Sequence, residues 1–463
     1  MRHFWSSKGA GGTVLKLIFC FLTVFYLTFA FEKSFRSQEE DRKQSIAKPL
    51  LSLLWASEFE SQTGFGSEAW SFVQGLLSYP VKLRLWHIGT EPWDKKAKVL
   101  SDERSNLLQS LWCGKACSSK KVSSEEKVDF LVLHSVPPDW VSPLEKCGLC
   151  KAAKFKVGRA MFETTGVPEK WVKLLNDTVD EIWVPSQFHK KTFSSNGVVK
   201  RKIRVIPQPI DQESFGKLPI PQRVSLLGDC ANRFVFLSIF KWEVRKGVDI
   251  LLKAYMQEFS ERDDVCLILL TRGKGLSANE IKQRVTKFLK KNNIVASNLP
   301  RLEVLESSKK DMLNLATLYV SVDAFVLPTR GEGWGRPIME AMACGTPVIA
   351  TNWSGQTEYL NAKTGFPIPV EEIVTYSEGP GFAELYKDEL EISAASFRNQ
   401  LWAKPSEQQF RSLMRWVFTN PSAAKKIALQ ARKEILSKFS PRAVASLVVR
   451  RLVELKDASM KVS

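Results

Sequence analysis

Glu332 and Glu340 stand eight positions apart in the stretch AFVLPTRGEGWGRPIMEAMACGTPVIATNWSGQTEYL, residues 324 to 360. Gly331, Gly333 and Gly335 alternate around Glu332 and Trp334, and Pro337 follows. Glycines allow a large group to approach the backbone closely. A helix opening at Pro337 offers unpaired N–H groups and the positive end of its dipole to an anion. Two carboxylates add acceptors for hydroxyl groups. Anion plus hydroxyls is the chemistry of a sugar carried on a nucleoside diphosphate. An ordinary α/β turn with two solvated glutamates uses the same residue types, so the turn alone does not decide.

Other chemistry-bearing residues lie elsewhere in the chain. Lys241 and Lys246 sit in KWEVRKGVD, after an apolar run and before a helical pattern. Two long cations there could neutralise a leaving diphosphate, although a Lys-rich loop is usually just solvated. Arg272-Gly273-Lys274-Gly275 is either a further pocket-lining loop or a plain turn. His134 ends the run FLVLH, at the carboxyl end of a strand, where active sites of α/β sheets collect. A single histidine there can equally be structural. Gly64 and Gly66 fall in a loop between the first strand and the first helix, where a tight turn is the alternative reading. Glu163 and Ser186 occur in the segments AMFETTG and VPSQF.

The elements that must position these residues alternate. Apolar runs at 50–56, 81–88, 128–133, 234–240, 265–271, 302–305, 324–328 and 347–351 read as strands. Helical patterns fall between them, notably 278–291, 310–320 and 338–344. Such alternation specifies parallel, doubly wound sheets. Residues 402–417, 422–436 and 442–455 read as helices, the last opened by Ser440-Pro441; 371–400 is irregular. The Pro-rich segment after Pro207 reads as a hinge.

Taken together, Glu332, seven residues, Glu340 and then Ala-Met-Ala-Cys-Gly-Thr-Pro-Val-Ile-Ala resemble the donor-site signature of glycosyltransferase family 4. The Met-Phe-Glu and Val-Pro-Ser segments resemble its acceptor domain. The resemblance covers about residues 50 to 455. It implies a GT-B architecture, two Rossmann-like domains facing a cleft, and retaining transfer of a hexosyl group from a nucleotide sugar to a hydroxyl of a sugar, glycan or lipid-linked acceptor. It implies no bound metal and no cofactor. Glu332 would face the transferred sugar and Glu340 the ribose. Lys241, Lys246, Gly333, Trp334 and Gly335 would hold the diphosphate. His134 would orient a substrate, and Gly64, Gly66 and Glu163 would lie on the acceptor side. The family places an arginine where Lys241 stands, which keeps charge but not bidentate phosphate contact. A non-catalytic sugar-nucleotide-binding scaffold and a nucleotide-sugar epimerase or hydrolase are the competing readings.

The expected organisation is a tail (1–13), a signal anchor (14–31), a polar stem (32–48), a first Rossmann-like domain (49–212), a linker (213–232), a second such domain (233–439), and a terminal helix crossing back with its tail (440–463). The 463 residues, 44% hydrophobic, suffice for two or three domains with real cores. A net charge of +18 suits an acidic partner, and no nucleic-acid-binding module accompanies it. Residues 17–31 lack charge, which favours a membrane anchor over a cleaved signal peptide. Cys113, Cys117, Cys147 and Cys150 form two close pairs whose spacing could suit zinc, but no histidine lies near in sequence, and disulfides are the better reading in an oxidising lumen; Cys266 and Cys344 fall in apolar runs as small hydrophobes. Asn176 and Asn352 open glycosylation sequons, the second inside the donor signature and expected to be unused. A type II protein of the Golgi or endoplasmic reticulum is the expectation.

Overall fold

The structure is a computed structural model that describes residues 51–59, 64–88, 102–113, 117, 128–272, 277–294, 298–305, 314–375, 380, 382–386 and 400–461. The expected anchor and stem lie outside these residues, as does most of Arg272–Gly275. Among the described residues no helix is long and apolar enough to cross a membrane.

The first sheet holds β1 (Leu51–Ser57), β2 (Val81–His87), β3 (Phe130–His134), β4 (Phe155–Arg159), β5 (Glu181–Val184) and β6 (Ile203–Val205), in the order β2-β1-β3-β4-β5-β6. Its neighbouring strands pair in parallel. Between strands run α1 (Gly64–Leu76), α2 (Asp102–Leu111), α3 (Glu169–Thr178) and α4 (Gln187–Ser195). The order reverses between β1 and β3, which sets Ser57 beside His134 at the crevice end.

The second sheet holds β7 (Phe234–Lys241), β8 (Val265–Arg272), β9 (Arg301–Leu305), β10 (Ala324–Leu327), β11 (Val348–Thr351) and β12 (Phe366–Ile368), in the order β12-β11-β10-β7-β8-β9. It too is parallel. Helices α5 (Val248–Glu258), α6 (Ala278–Lys291), α7 (Leu315–Ser321) and α8 (Arg336–Ala343) connect its strands. Every residue of β10 and β11 is buried, because helices cover both faces of a parallel sheet. Here the order reverses between β7 and β10, whose carboxyl ends carry the Lys241–Lys246 turn and the Glu332 loop. These reversal points are where doubly wound sheets bind ligands.

A two-stranded antiparallel ribbon, β13 (Val370–Val374) with β14 (Trp402–Pro405), precedes α9 (Glu407–Thr419), α10 (Pro421–Lys438) and α11 (Pro441–Met460). Trp402–Pro405 is therefore strand, not the start of a helix: Trp402 and Ala403 are buried, and Ser406 caps α9 by accepting from the Gln409 N–H. The hinge is less open than its composition suggests, since Gln212–Phe215 and Arg223–Leu227 are short helices. Gly64 and Gly66 lie in the first turn of α1 rather than in a loop.

Helix α11 packs on the first sheet's side. Val444, Ala445, Val448 and Leu452, at helical spacing, join Phe72, Val73 and Leu76 of α1 in one apolar core. The helices meet so closely that a Cβ on Gly75 would lie 2.1 Å from the Pro441 carbonyl oxygen. Arg451 clamps Glu181 of β5 at 2.6 Å and Lys456 reaches Asp129 at 3.4 Å. Among the described residues three disulfides are present, Cys113–Cys117, Cys147–Cys150 and Cys230–Cys266. Cys266 is thus bonded rather than a lone small hydrophobe, whereas Cys344 is free and buried.

Candidate functional site

The Glu332 loop is stitched to the β7–α5 turn before it reaches any ligand. The Arg330 backbone N–H donates to the Arg245 carbonyl (2.7 Å), and the Thr329 hydroxyl donates to the same oxygen (3.0 Å). The Arg330 side chain donates to the Val244 carbonyl and pairs with Asp249 through two nitrogens at 2.9 and 2.7 Å. Such a two-pronged pair fixes geometry as well as charge. From the other side, Ser354, held at φ +73°, accepts from the Glu332 N–H (2.9 Å). The Tyr359 hydroxyl lies 2.6 and 2.9 Å from the carbonyls of Trp334 and Gly335, the latter at φ +85° just before α8.

Within this frame the Glu332 carboxylate is 5% exposed and meets two cations. Lys246 Nζ lies 2.7 and 2.9 Å from its two oxygens, and Arg245 donates to it at 3.0 Å. Burial opposes the charge on Glu332, but Lys246 and Arg245 outweigh it and hold the carboxyl below its ordinary range. Burial pushes the Lys246 ammonium down, with Arg245 adding to that push. Arg245 also reaches Glu243 at 3.0 Å and Glu163 at 3.7 Å, and these carboxylates with Glu332 raise its pKa despite burial. The sequence points to Lys241 and Lys246; the structure brings Arg245 and Lys246 to Glu332 and leaves Lys241 exposed at the end of β7. Arg245 was legible only as one more cation in the same loop.

Glu340 lies on α8, 9% exposed, accepting from the Tyr319 hydroxyl at 3.1 Å, with Arg336 Nε at 3.8 Å. Trp334 is core: its indole N–H donates to Met339 Sδ, and its ring packs against Tyr359 and Phe439. The alternating glycines serve a protein contact. A Cβ on Gly331 would stand 2.5 Å from the Glu163 carbonyl oxygen, and one on Gly333 would stand 2.8 Å from Met161 Sδ. The segment from Met161 to Glu163 follows β4, so the two sheets' loops touch here.

They touch elsewhere too. The Gln187 N–H donates to Glu358 (2.9 Å), Phe188 packs edge-on against Trp353, Thr165 and Leu401 share a backbone bond (2.9 Å), and Thr164 bonds Gln400. Ser186 itself caps α4 and bonds His189 at 2.6 Å.

His134 is fully buried. The Trp55 indole N–H donates to its Nδ1 (3.2 Å), which leaves the proton of a neutral ring on Nε2, 3.3 Å from Glu68. Burial pushes the imidazole pKa down, so the neutral form dominates. Glu68 also pairs with Arg159, itself buried and donating to the Ile206 carbonyl at 2.8 Å. This Trp55–His134–Glu68–Arg159 network underlies the crevice and was not foreseen. Its signal is a carboxylate at the fifth residue of α1, on an otherwise apolar helix face. His134 is therefore shut off from solvent by its neighbours. Gly64 and Gly66 lie on the same helix as Glu68. Among the described residues no His, Cys, Asp and Glu cluster could hold a metal ion.

Residues 231–378 match the family model described as glycosyl transferases group 1. The chain is 33% identical over 141 residues to a GDP-mannose-dependent monoacylated alpha-(1-6)-phosphatidylinositol monomannoside mannosyltransferase of Corynebacterium glutamicum, covering 29% of this chain and 33% of that protein. It is 28% identical over 164 residues to a D-inositol 3-phosphate glycosyltransferase of an Arthrobacter species, covering 35% and 37%. The chain thus spans about a third of the length of the curated relatives it matches. Among solved structures, the HepE protein of Anabaena in complex with UDP and glucose superposes with a TM-score of 0.59 at 15% identity, covering 87% of this chain and 100% of that one. The sucrose-phosphate synthase of Thermosynechococcus elongatus also gives 0.59 at 15% identity, covering 88% and 100%. The fold is GT-B, and its second sheet carries a group 1 glycosyltransferase match.

Proposed function

We propose that the protein is a retaining glycosyltransferase that moves a hexosyl group from a nucleotide sugar to a hydroxyl of a sugar, glycan or lipid-linked acceptor. The observation that carries this reading is the Glu332–Lys246–Arg245 cluster. It sits at the β7/β10 reversal point, beside the amino end of α8 and within the segment that matches the group 1 family.

In this reading Lys246, Arg245, exposed Lys241 and the α8 amino end draw charge off the departing diphosphate. Lys246 shifts part of its bonding from Glu332 to phosphate when the donor arrives. The bond between the anomeric carbon and the phosphate oxygen breaks. The acceptor oxygen bonds to that carbon on the same face, and its proton passes to the departing phosphate. Glu332 accepts hydrogen bonds from the transferred sugar and Glu340 from the ribose. His134 acts as a positioning residue, through the Glu68–Arg159 pair that anchors the crevice end of α1. No metal has a part in this scheme, so chelation with EDTA is expected to leave transfer intact.

Glu332→Gln is the deciding variant, because it keeps shape and hydrogen bonding while removing the charge. Transfer from a panel of nucleotide sugars is expected to fall about 100-fold or more with the fold retained by circular dichroism. Unchanged transfer in this variant would sink the assignment.

Residues 14–31 fit an anchor that leaves the catalytic body in an oxidising lumen, and the three disulfides support that placement. Asn176 is a poor reporter of it. Its side-chain amide donates to the Gly197 carbonyl and its oxygen accepts from Val199 N–H, so the sequon asparagine is spent on a turn. Asn352 is exposed. Alkylation in sealed microsomes before and after reduction is the better test: Cys230 and Cys266 are expected to label only after reduction.

A further inference from the structure

Helix α1 presents one face to two arginines. Arg336, at the start of α8, donates to the Ser67 hydroxyl at 2.8 Å. Arg104, on α2, lays its guanidinium 4.5 Å over the ring of Trp70. Ser67 and Trp70 are three positions apart, so they are neighbours on the helix surface, about 5–6 Å between Cβ atoms. Gln74, seven positions from Ser67, continues the same face. The two arginines belong to helices of opposite sheets, and Arg336 is near enough to push the Arg104 pKa down.

Their charge is not settled by the protein. Among the described residues nothing hydrogen-bonds Arg104 Nε or Nη2, though both atoms are buried, and the Gln74 side-chain amide is equally without a partner. Among the described residues Arg336 meets one carboxylate, Glu340 at 3.8 Å, besides the Ser67 hydroxyl at 2.8 Å and the Pro209 carbonyl at 3.5 Å. Buried guanidinium nitrogens without acceptors are costly, and an anion that supplied acceptors would remove the cost. Burial depresses the Arg104 pKa to about 10; Asp211 and Glu213 work against that and Arg336 adds to it. Lys246 and Arg245, by contrast, are already engaged with carboxylates.

We propose that Arg104 and Arg336, one helical turn apart along α1, form an oxyanion-recognition site for a phosphate or carboxylate group on the acceptor. The inference rests on the transferase reading, and narrows it to acceptors that carry a negative charge close to the hydroxyl that reacts. The unpaired Gln74 amide offers such a group one further donor.

The test uses the purified full chain and inorganic phosphate, titrated at constant ionic strength with UDP or GDP present to fill the donor site. Phosphate is expected to raise the melting temperature of the wild type. Its apparent affinity is expected to fall at least about tenfold in Arg104→Gln, the loss of one charged hydrogen-bonding group, and less in Arg104→Lys. Stabilisation by UDP or GDP alone is expected to persist in Arg104→Gln. The site is overturned by any of three results: no phosphate-dependent shift in the wild type, an equal shift in Arg104→Gln, or loss of the nucleotide shift together with the phosphate shift. Failure of the transferase reading has a separate signature, since no nucleoside diphosphate or nucleotide sugar would then stabilise the wild type.

Discussion

At the scale of residues, the site is a charge-balance problem with Glu332 at its centre. Replacing it by alanine leaves Lys246 and Arg245 buried beside each other, which costs about 3–5 kcal/mol. Both Glu332→Ala and Glu332→Gln are therefore expected to lower the melting temperature as well as activity, Glu332→Gln by less because it leaves no cavity and keeps an acceptor for Lys246 and Arg245. The pH dependence has a definite sign. The folded carboxyl titrates below its unfolded value, so its contribution to stability is complete above the ordinary glutamate range, and it is lost as pH falls through the lowered native value. Denaturant melts of wild type and Glu332→Gln are expected to converge as pH drops below about 4. Arg245→Ala should raise KM for the nucleotide sugar and depress kcat, since it loosens both Glu332 and the Glu163 side of the crevice. An Arg245→Ala enzyme with wild-type kinetics would remove Arg245 from the site.

At the scale of elements, the sequence spoke most clearly where local chemistry and burial agree. Residues 278–291 were legible to the residue because Ser277 and Glu280 cap each other reciprocally. The strand–loop–helix–strand around Glu332 was legible because its strands are buried on both faces and Pro337 stands in the first turn of its helix. Trp402–Pro405 misled because two buried residues before a capped helix share the period of that helix. Arg245 and Glu68 were hidden for another reason: ion pairs bring together residues far apart in sequence, Arg245 with Glu332 and Glu68 with Arg159, and no periodicity encodes such partners. Gly75 shows the same gap, since only the structure reveals Pro441 above it. Gly75→Ala is expected to destabilise by roughly 1–3 kcal/mol or more, read as a lower melting temperature, because the obstacle is backbone and cannot turn aside.

At the scale of the whole molecule, Gly331 and Gly333 are points where the two sheets' loops pack with no room for a side chain. A methyl group at Gly331 would strike the Glu163 carbonyl only when the two are together. A Cβ there would also stand 2.9 Å from the Trp353 ring of its own half, so Gly331→Ala is expected to lower the melting temperature, by roughly 1–3 kcal/mol of stability, together with kcat/KM. An equally active Gly331→Ala would show that this approach is dispensable. The GT-B layout was legible as two α/β halves and a hinge, but the ribbon contacts of Thr164 and Thr165 with Gln400 and Leu401 were not, since neither segment carries a regular pattern.

Helix α11 has one more effect, on the order in which the molecule can be made. The face of α1 that carries Phe72 and Leu76 is covered by residues 444–452, yet the first sheet is complete once Val205 has been synthesised. At about 5–20 residues per second, a ribosome takes some ten to fifty seconds to supply the missing cover. For that interval the apolar face of α1 that Phe72 and Leu76 carry lacks the cover that residues 444–452 supply in the folded chain.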